Sequence, residues 1–145
     1  MILHAGLVSA YGGGVWRGAL IEGPAGAGKS DLAMRAQALG LMRIVSDDRT
    51  RVWTCEGRLF GACPPAIRGL LEARGLGLVP FADRPLSEIC LLVSCRLPGD
   101  AIERSPERED RRMLGVRLPV LRLHALEASA PVKIQQALSR LGAWP

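Results

Sequence analysis

Aromatic side chains are scarce in this chain, making up 4% of its 145 residues. A core with so few rings must be built mainly from Leu, Val, Ile and Ala. The chain is 48% hydrophobic overall, which is an ordinary share for a globular protein. The length allows one domain of ordinary size and no second one. The sequence therefore predicts a single domain over residues 1–145.

Paired cysteine motifs are absent, because the four cysteines never occur as Cys-x-x-Cys: they are Cys55, Cys63, Cys90 and Cys95. This excludes the common zinc-binding and redox motifs. Cys90 and Cys95 lie in the apolar run EICLLVSC, where small buried side chains are expected. The sequence also has no signal-peptide pattern and no apolar stretch long enough to cross a bilayer. We expect a cytoplasmic protein that does not contact a membrane.

Acidic residues are outnumbered, with 14 Asp and Glu against 19 Lys and Arg, and the formal net charge is +5. The basic residues are dispersed, and no basic run has aromatic residues between its charges. The sequence therefore does not predict a nucleic-acid surface. Most of the cations are arginines, whose guanidinium groups suit phosphate and carboxylate ligands.

Apolar patterning predicts a strand, a glycine loop, a helix, several more strands and a closing helix. Strands are expected at 2–10, 17–23, 41–46, 88–97 and 113–126, with a hairpin at 50–63 that turns at Glu56-Gly57. Residues 64–81 should combine a helical turn with a glycine-punctuated loop, and the charged segment 98–112 should face solvent. The first helix should begin near Lys29, with an apolar stripe of Leu32, Ala33, Ala36 and Leu39. The closing helix, over 130–144, should bury Val132, Ile134, Ala137, Leu138 and Leu141.

The segment GPAGAGKS fits the phosphate-binding pattern G-x-x-x-x-G-K-[ST] at every fixed position. Glycines let backbone N–H groups turn toward phosphate oxygens, and the following helix adds the partial positive charge of its N-terminus. Lys29 is expected to reach the β- and γ-phosphates of ATP, and the Ser30 hydroxyl to bind Mg²⁺. The predicted nucleotide-binding residues are Gly23, Pro24, Ala25, Gly26, Ala27, Gly28, Lys29 and Ser30.

Two adjacent carboxylates, Asp47 and Asp48, follow the apolar strand LMRIVS. Most P-loop enzymes place an Asp after an apolar strand, where it holds the metal ion or acts as a base. Neighbouring residues on a strand point to opposite sides, so the two carboxylates are expected to have different roles. The alternative is a simple turn or helix cap, where Asp is also common.

Four stretches in order, LHAGLV, GPAGAGKSDLAMRA, IVSDD and GRLFGACPPAIRGLLEARGLG, resemble the catalytic C-terminal domain of HPr kinase/phosphorylase. The likeness runs over residues 4–77 and is greatest to the short proteobacterial form. It implies an α/β, P-loop-containing fold of the HPr kinase and PEP carboxykinase type, with a strand-rich core, a P-loop helix and a C-terminal helix. It also implies ATP and Mg²⁺ as cofactors, a serine of the phosphocarrier protein HPr as the acceptor, and hexamers.

The resemblance implies roles for the residues at the acceptor end of the site. Asp48 would take the proton from the serine hydroxyl and return it in phosphorolysis, with His4 as its partner and Asp47 as its neighbour. Glu72 matches a magnesium-ligand position beside Ser30.

The resemblance also covers the family signature Glu-x-Arg-Gly-x-Gly, which reads EARGLG here and is linked to the reverse reaction. Its remaining fixed residues are Arg74, Gly75 and Gly77. Arg104 matches an arginine that contacts phosphate, and nearby arginines compete for that role: Arg108, Arg111 and Arg112.

One late segment departs from the family pattern. Longer members carry Arg-Pro-Gly-Arg in a stretch linked to dephosphorylation, whereas the corresponding stretch here reads LRLHALEASAPVKI. It lacks the second Arg and the Pro-Gly pair. We expect a structural role for His124, which lies in this stretch.

Two other functions remain open from the residues. A small-molecule P-loop kinase could use the arginine-rich segment ERSPEREDRR as a lid, although LLEARGLG would have no role there. A non-catalytic nucleotide-binding regulator would keep the glycine loop but would not need Asp48.

Overall fold

The fold is given by a computed structural model that describes residues 1–81 and 83–141. The described residues form eleven strands, two α-helices and one 3-10 turn. The strands are β1 (Ile2–Leu3), β2 (Gly6–Gly12), β3 (Val15–Glu22), β4 (Arg43–Ser46), β5 (Thr50–Cys55), β6 (Arg58–Ala62), β7 (Leu70–Ala73), β8 (Gly77–Pro80), β9 (Leu86–Cys95), β10 (Glu109–Met113) and β11 (Val116–Leu123). The helices are α1 (Lys29–Ala38) and α2 (Ala130–Ser139), and the 3-10 turn covers Pro65–Ile67.

A curled, mixed, nine-stranded sheet contains all of these strands except β7 and β8. Its order is β1-β5-β6-β9-β3-β2-β4, and β11 also pairs with β9 and carries β10 at its outer edge. Strands β3, β9 and β11 run parallel, whereas the other pairs are antiparallel. The carboxyl ends of the three parallel strands therefore meet at one edge of the sheet, and the glycine loop begins there. Such an edge is where α/β proteins commonly bind ligands.

Two apolar clusters cover the two faces of the sheet. Helices α1 and α2 pack on one face, where Leu32 and Ile134 are fully buried against strand residues such as Ile21. The other face is closed by the curl of the sheet, which brings Leu59 of β6 and Leu118 of β11 into one cluster. Both faces are filled almost entirely by aliphatic side chains, as the scarcity of aromatic residues predicts.

Two hairpins have the turns that the glycines predict. Strands β2 and β3 are joined through Gly13 and Gly14, with φ of 59° and 81°, and β5 and β6 through Glu56 and Gly57, with φ of 51° and 74°. Two consecutive residues with positive φ form the tight hairpin turn that matches the twist of the flanking strands. The prediction of a hairpin turning at Glu56-Gly57 is confirmed.

Several local predictions were wrong. The first strand is interrupted at His4, because β1 pairs with β5 whereas β2 pairs with β3 and β4. Residues 70–80 form a β7–β8 hairpin rather than a loop, and the charged segment ends in a strand, β10. Leu39 and Val132 are 62% and 44% exposed, so neither belongs to the buried side of its helix. The last residues assigned to the closing helix, 142–144, lie outside the described residues.

All four cysteines lie in the described part of the chain and are free thiols. Burial raises the pKa of Cys90 and of Cys95 to about 11, so both remain protonated at neutral pH.

No helix among the described residues has the length and apolar character needed to cross a bilayer.

Gly18 of β3 lies in close contact with β9 and with a side chain of β2, and only a residue without a Cβ fits there. A Cβ at this position would come within 2.4 Å of the carbonyl oxygen of Glu88 and within 2.9 Å of the Ser87 hydroxyl. That hydroxyl is held in place by a buried 2.7 Å hydrogen bond with Ser9. Since the obstructing oxygen belongs to backbone, the contact cannot be relieved by a rotamer change.

We therefore expect Gly18→Ala to reduce the free energy of unfolding by about 1–3 kcal/mol, the usual cost of overpacking. Urea unfolding followed by circular dichroism measures it. Gly12→Ala is the matched control, because a Cβ there meets no atom within 4 Å. Equal stability of the two variants would show that β3 and β9 do not approach as closely as described.

Candidate active site

The glycine loop, residues 23–28, joins β3 to α1. Three of its glycines have positive φ: 153° at Gly23, 82° at Gly26 and 93° at Gly28. A Cβ at Gly26 would meet no atom within 4 Å, so this part of the loop faces open space. A Cβ at Gly28 would come within 2.6 Å of Leu126. One side of the loop is therefore open to a ligand, and the other side packs against the turn that follows β11.

Positive charge is concentrated at the mouth of this loop. Lys29 begins α1, and its Nζ donates hydrogen bonds to the carbonyl oxygens of Gly23 at 2.5 Å and Pro24 at 3.2 Å. Among the described residues, no side chain caps the N-terminus of α1, so the N–H groups of its first turn are available to an anion. The open concavity, the free amides and the lysine together fit a polyphosphate chain.

One carboxylate ties α1 to two other elements. The Ser30 hydroxyl donates a 2.8 Å hydrogen bond to Oδ1 of Asp47, which directly follows β4. The backbone N–H of Glu72, in β7, donates to Oδ2 of the same carboxylate at 3.3 Å. The second residue of the P-loop helix, the acidic turn and the signature hairpin thus meet at Asp47.

The Asp47 carboxylate is buried, with 9% of the residue exposed. Burial raises the pKa of Asp47 above the ordinary carboxyl value, and the nearby charges of Asp48 and Glu72 add to the rise. Hydrogen bonds from the Ser30 hydroxyl and the Glu72 N–H act in the opposite direction. The two hydrogen bonds compensate this negative charge only in part, and a cation would stabilise it further.

Asp48 is the exposed member of the pair. Its φ is +65°, a conformation that Asp adopts more readily than most residues. The turn is braced on both sides of it, because the N–H of Arg49 donates to the carbonyl oxygen of Asp47 at 2.7 Å and the Ser46 hydroxyl bonds to the carbonyl oxygen of Arg49. The two carboxylates therefore have different environments, one buried and bonded and one open to solvent.

His4 lies in the break between β1 and β2 and is exposed. The chain there is held against the acidic turn, since the Thr50 hydroxyl donates to the carbonyl oxygen of Ala5 at 2.7 Å. A Cβ on Gly6 would lie 3.9 Å from the backbone nitrogen of Asp48. The break that was not predicted thus brings the segment carrying His4 beside the turn that carries Asp48.

The signature EARGLG forms the end of β7, the turn and the start of β8. Arg74, Gly75 and Gly77 are exposed in or next to this turn, where the N–H of Leu76 bonds to the carbonyl oxygen of Ala73 at 2.9 Å. Gly75 and Gly77 have φ of 92° and 88°. Glu72 is exposed, and its negative charge is close enough to Asp47 to raise the pKa of the Asp47 carboxyl group. The structure thus places Glu72 beside the Ser30–Asp47 contact and the other signature residues farther along the hairpin.

Arg104 lies in the exposed segment between β9 and β10. Another arginine of the predicted group, Arg111 on β10, forms a 2.5 Å ion pair with Glu22, the last residue before the glycine loop. The structure therefore connects Arg111, rather than Arg104, to the residues next to the loop.

Arg35 on α1 has a role that no sequence pattern indicates. Its guanidinium bonds to the carbonyl oxygens of Ala125 and, at 3.1 Å, of Glu127, and it pairs with Asp31 at 2.7 Å. Arg35 fixes the turn after β11 to the helix that follows the glycine loop. Residue types could not have revealed this link, because its main acceptors are backbone oxygens.

The donor atoms around Asp47 suit Mg²⁺, which prefers oxygen ligands and is usually held by one or two protein groups together with phosphates. Ser30 and Glu72 supply such oxygens beside a buried carboxylate whose raised pKa shows that its charge is poorly compensated. No cluster of three or more His, Cys, Asp or Glu side chains in the described ranges could hold a metal ion alone. The residues thus fit an ion shared with a nucleotide.

Comparison with known proteins identifies the family. A family model described as HPr Serine kinase C-terminal domain matches residues 1–84, which is more than half of the chain. The chain belongs to the HPr serine kinase C-terminal domain family. The matched part of this family member includes the glycine loop, the acidic turn and the EARGLG hairpin.

Curated relatives of this family member are named HPr kinase/phosphorylase. The protein from Geobacillus thermodenitrificans is 35% identical over 82% of this chain and 40% of its own length. The protein from Limosilactobacillus reuteri is 32% identical over 94% of this chain and 42% of its own length. The Clostridium tetani protein is 42% identical over 53% of this chain and 24% of its own length. The chain thus spans less than half of each of these relatives.

A solved structure shares the fold. The Hpr(Ser) kinase/phosphatase from Coxiella burnetii superposes with a TM-score of 0.80 at 23% identity, covering 98% of this chain and 95% of that one. This agreement over nearly the full length confirms the predicted α/β fold with its strand-rich core.

The raised pKa of Asp47 has a consequence for stability. When a carboxyl group has a higher pKa in the folded state than in the unfolded state, ionising it favours unfolding. The free energy of unfolding therefore falls as the pH rises from the pKa of the unfolded state through that of the folded state. We therefore expect Asp47→Asn, which removes the charge and keeps an acceptor for Ser30, to raise Tm at pH 7. The expected increase is about 2–4 °C, the shift for about 1 kcal/mol in a domain of this size.

The increase should vanish near pH 3, where the wild-type carboxyl group is protonated in both states. Thermal unfolding without nucleotide at the two pH values measures it. Asp48→Asn is the matched comparison, because its side chain is exposed and Asn also tolerates positive φ; it should raise Tm less, since it removes only the repulsion between the two carboxylates. A lower Tm for Asp47→Asn at pH 7 would show that the hydrogen bonds to the carboxylate outweigh its desolvation.

Proposed function

We propose that this chain transfers the γ-phosphoryl group of ATP to a serine hydroxyl of an HPr-like phosphocarrier protein. The observation that carries the proposal is the Ser30–Asp47 hydrogen bond, which joins a phosphate-binding loop to an acidic pair. The family membership and the names of the curated relatives support the same activity.

The residues divide the work of phosphoryl transfer. Backbone amides of the glycine loop align the phosphate chain, and the Lys29 ammonium neutralises charge on its oxygens. Ser30 and Glu72 would hold Mg²⁺, and Asp47 would orient the Ser30 hydroxyl through their hydrogen bond. When bound, this ion supplies further charge neutralisation at the phosphates.

Asp48 acts as the proton acceptor in this proposal. A serine hydroxyl is a poor nucleophile at neutral pH and needs a base within hydrogen-bonding reach. Asp48 is exposed on a braced turn, so a serine on the surface of another protein can reach it. His4, on the neighbouring chain break, would share the proton. The openness of this corner favours a protein acceptor over a small molecule, which would need an enclosing pocket.

The direct test uses labelled ATP, Mg²⁺ and purified HPr proteins. We expect transfer of label to an HPr serine, and Asp48→Asn should slow this transfer by about 10²–10⁴-fold, the usual contribution of a general base. Lys29→Ala should abolish it. The control is Asp110→Asn, because this carboxylate pairs with Arg108, which precedes β10, and with Arg117 on β11, away from the proposed acceptor site.

Each alternative gives a different result in this assay. Label found on a small metabolite and on no HPr protein would indicate a small-molecule kinase. ATP binding without transfer to any acceptor would indicate a nucleotide-binding regulator. Undiminished transfer by Asp48→Asn would remove Asp48 from the role of base.

Phosphorolysis is proposed as a weaker second activity. Phosphoserine-HPr with inorganic phosphate should yield pyrophosphate more slowly than ATP phosphorylates HPr. The reason is that residues 121–134 lack the Arg-Pro-Gly-Arg pattern linked to this direction and form the end of β11, a turn and the start of α2. A coupled pyrophosphate assay compares the two rates, and equal rates would show that the missing arginine is dispensable.

We also propose a cytoplasmic location, which the unpaired cysteines favour, and a hexameric assembly, which the resemblance implies. Sedimentation velocity tests the assembly, and a clean monomer at assay concentrations would contradict it.

A further inference from the structure

A second concave site adjoins the glycine loop on the side opposite Asp47. It is a cleft of about 290 Å³ between Ala27 of the loop, the segment after β9 and the turn after β11. Arg96 and Pro98 form one wall, and His124 and Leu126 contribute to the other. Its volume is at the lower end for small-molecule sites, so it suits a compact group rather than a peptide.

The walls of this cleft are rigidly connected to the glycine loop. Leu126 packs directly on Gly28, since a Cβ added to that glycine would lie 2.6 Å from its side chain. Arg35 of α1 bonds to backbone oxygens on both sides of Leu126. The N–H of Arg96 donates to the carbonyl oxygen of Leu123 at 2.9 Å, which joins the two walls at their base. The cleft is therefore a preformed part of the same edge of the sheet.

The strand order gives the direction of a bound nucleotide. In the sheet, β3 has β2 and then β4 on one side, and β9 and then β11 on the other. Asp47 follows β4, so the acceptor end of the phosphate chain lies toward β4. The remainder of the nucleotide must leave the loop on the other side, over Ala27, which lines the cleft.

The chemistry of the walls suits a nucleoside. Arg96 and His124 are planar groups that can stack on a purine ring, and Pro98 and Leu126 supply apolar contact. His124 lines the cleft, and its Nδ1 is buried with no hydrogen-bond partner among the described residues, so atoms other than Nδ1 are the ones that can meet a ligand there. The Glu127 carboxylate, whose pKa is lowered by its hydrogen bond with Lys133, stays ionised at the rim and can accept from hydroxyl or amino groups.

We propose that this cleft binds the base and ribose of the nucleotide, and that His124 and Arg96 determine the preference for a nucleoside triphosphate over a bare polyphosphate. The inference rests on the proposed use of the glycine loop for ATP. It assigns a ligand to His124, for which the sequence predicts only a structural role.

The test compares two probes, Mg²⁺-ATP and Mg²⁺-tripolyphosphate, which share the phosphate chain and differ in the nucleoside. Isothermal titration calorimetry on the full chain measures both affinities. We expect His124→Ala and Arg96→Ala each to weaken ATP binding roughly tenfold, the loss typical of one stacking contact, and to leave tripolyphosphate binding unchanged. Arg122→Ala is the matched control, because this exposed cation pairs with Glu109 at 2.5 Å and does not line the cleft.

A measurement on the wild-type protein avoids dependence on variant folding. Saturation-transfer NMR should show strong transfer to the base and H1′ protons of bound ATP. Absence of transfer to these protons would place the nucleoside in solvent and overturn the inference. The inference would also be overturned if His124→Ala and Arg96→Ala weakened the binding of ATP and of tripolyphosphate equally. Two other results would refute the use of the glycine loop for ATP, and the inference with it. One is that the wild-type protein binds neither ATP nor tripolyphosphate, and the other is that Lys29→Ala binds both with full affinity.

Discussion

Asp47 accepts one hydrogen bond from the Ser30 hydroxyl and a second from the backbone of Glu72. The first bond fixes the turn after β4 to the beginning of α1, and the second brings the β7–β8 hairpin to the same point. Apolar packing of Leu32, Ile44 and Leu71 also joins α1, β4 and β7, but the Asp47 carboxylate is the polar group that connects all three at the site. Burial of the Asp47 carboxylate is unfavourable in the chain alone, as its raised pKa shows. Binding sites often retain such a locally destabilising group because a bound ligand stabilises it.

In the proposed arrangement, the two ends of a nucleotide would lie on opposite sides of one strand of the sheet. Strand β3 carries the glycine loop, the acids follow the strand two places away on one side, and the cleft lies between the ends of β9 and β11 on the other. At this edge the chain packs closely, since a Cβ added to Gly23 would lie 2.7 Å from the carbonyl oxygen of Cys95. In the proposed function, strand order would therefore determine the substrate positions, whereas the chemical steps would depend on a few side chains at the strand ends.

Much of this arrangement is predictable from local patterns. GPAGAGKS has a strict spacing, and Gly57 between two short apolar runs permits the positive φ that a hairpin turn needs. The β7–β8 hairpin was missed because Gly75 and Gly77 suggested a loop, although exposed and buried residues alternate from Leu70 to Ala73. Local patterns could not reveal that the Thr50–Ala5 contact lies beside His4, or that Arg35 holds the turn after β11. Both depend on backbone acceptors distant in sequence, which leave no trace in residue type.

The position of β3 in the sheet has a consequence for how the chain acquires its structure during synthesis. Its antiparallel neighbour β2 is made just before it, so one edge is paired at once. Its other edge pairs with β9, through registers such as Gly18 with Ile89, and stays open until that distant strand has emerged. An apolar strand with an unpaired edge is prone to associate with other chains. The strand that bears the glycine loop is therefore exposed to such association while the chain is being made, and the glycine loop reaches its final position only after β9 has paired.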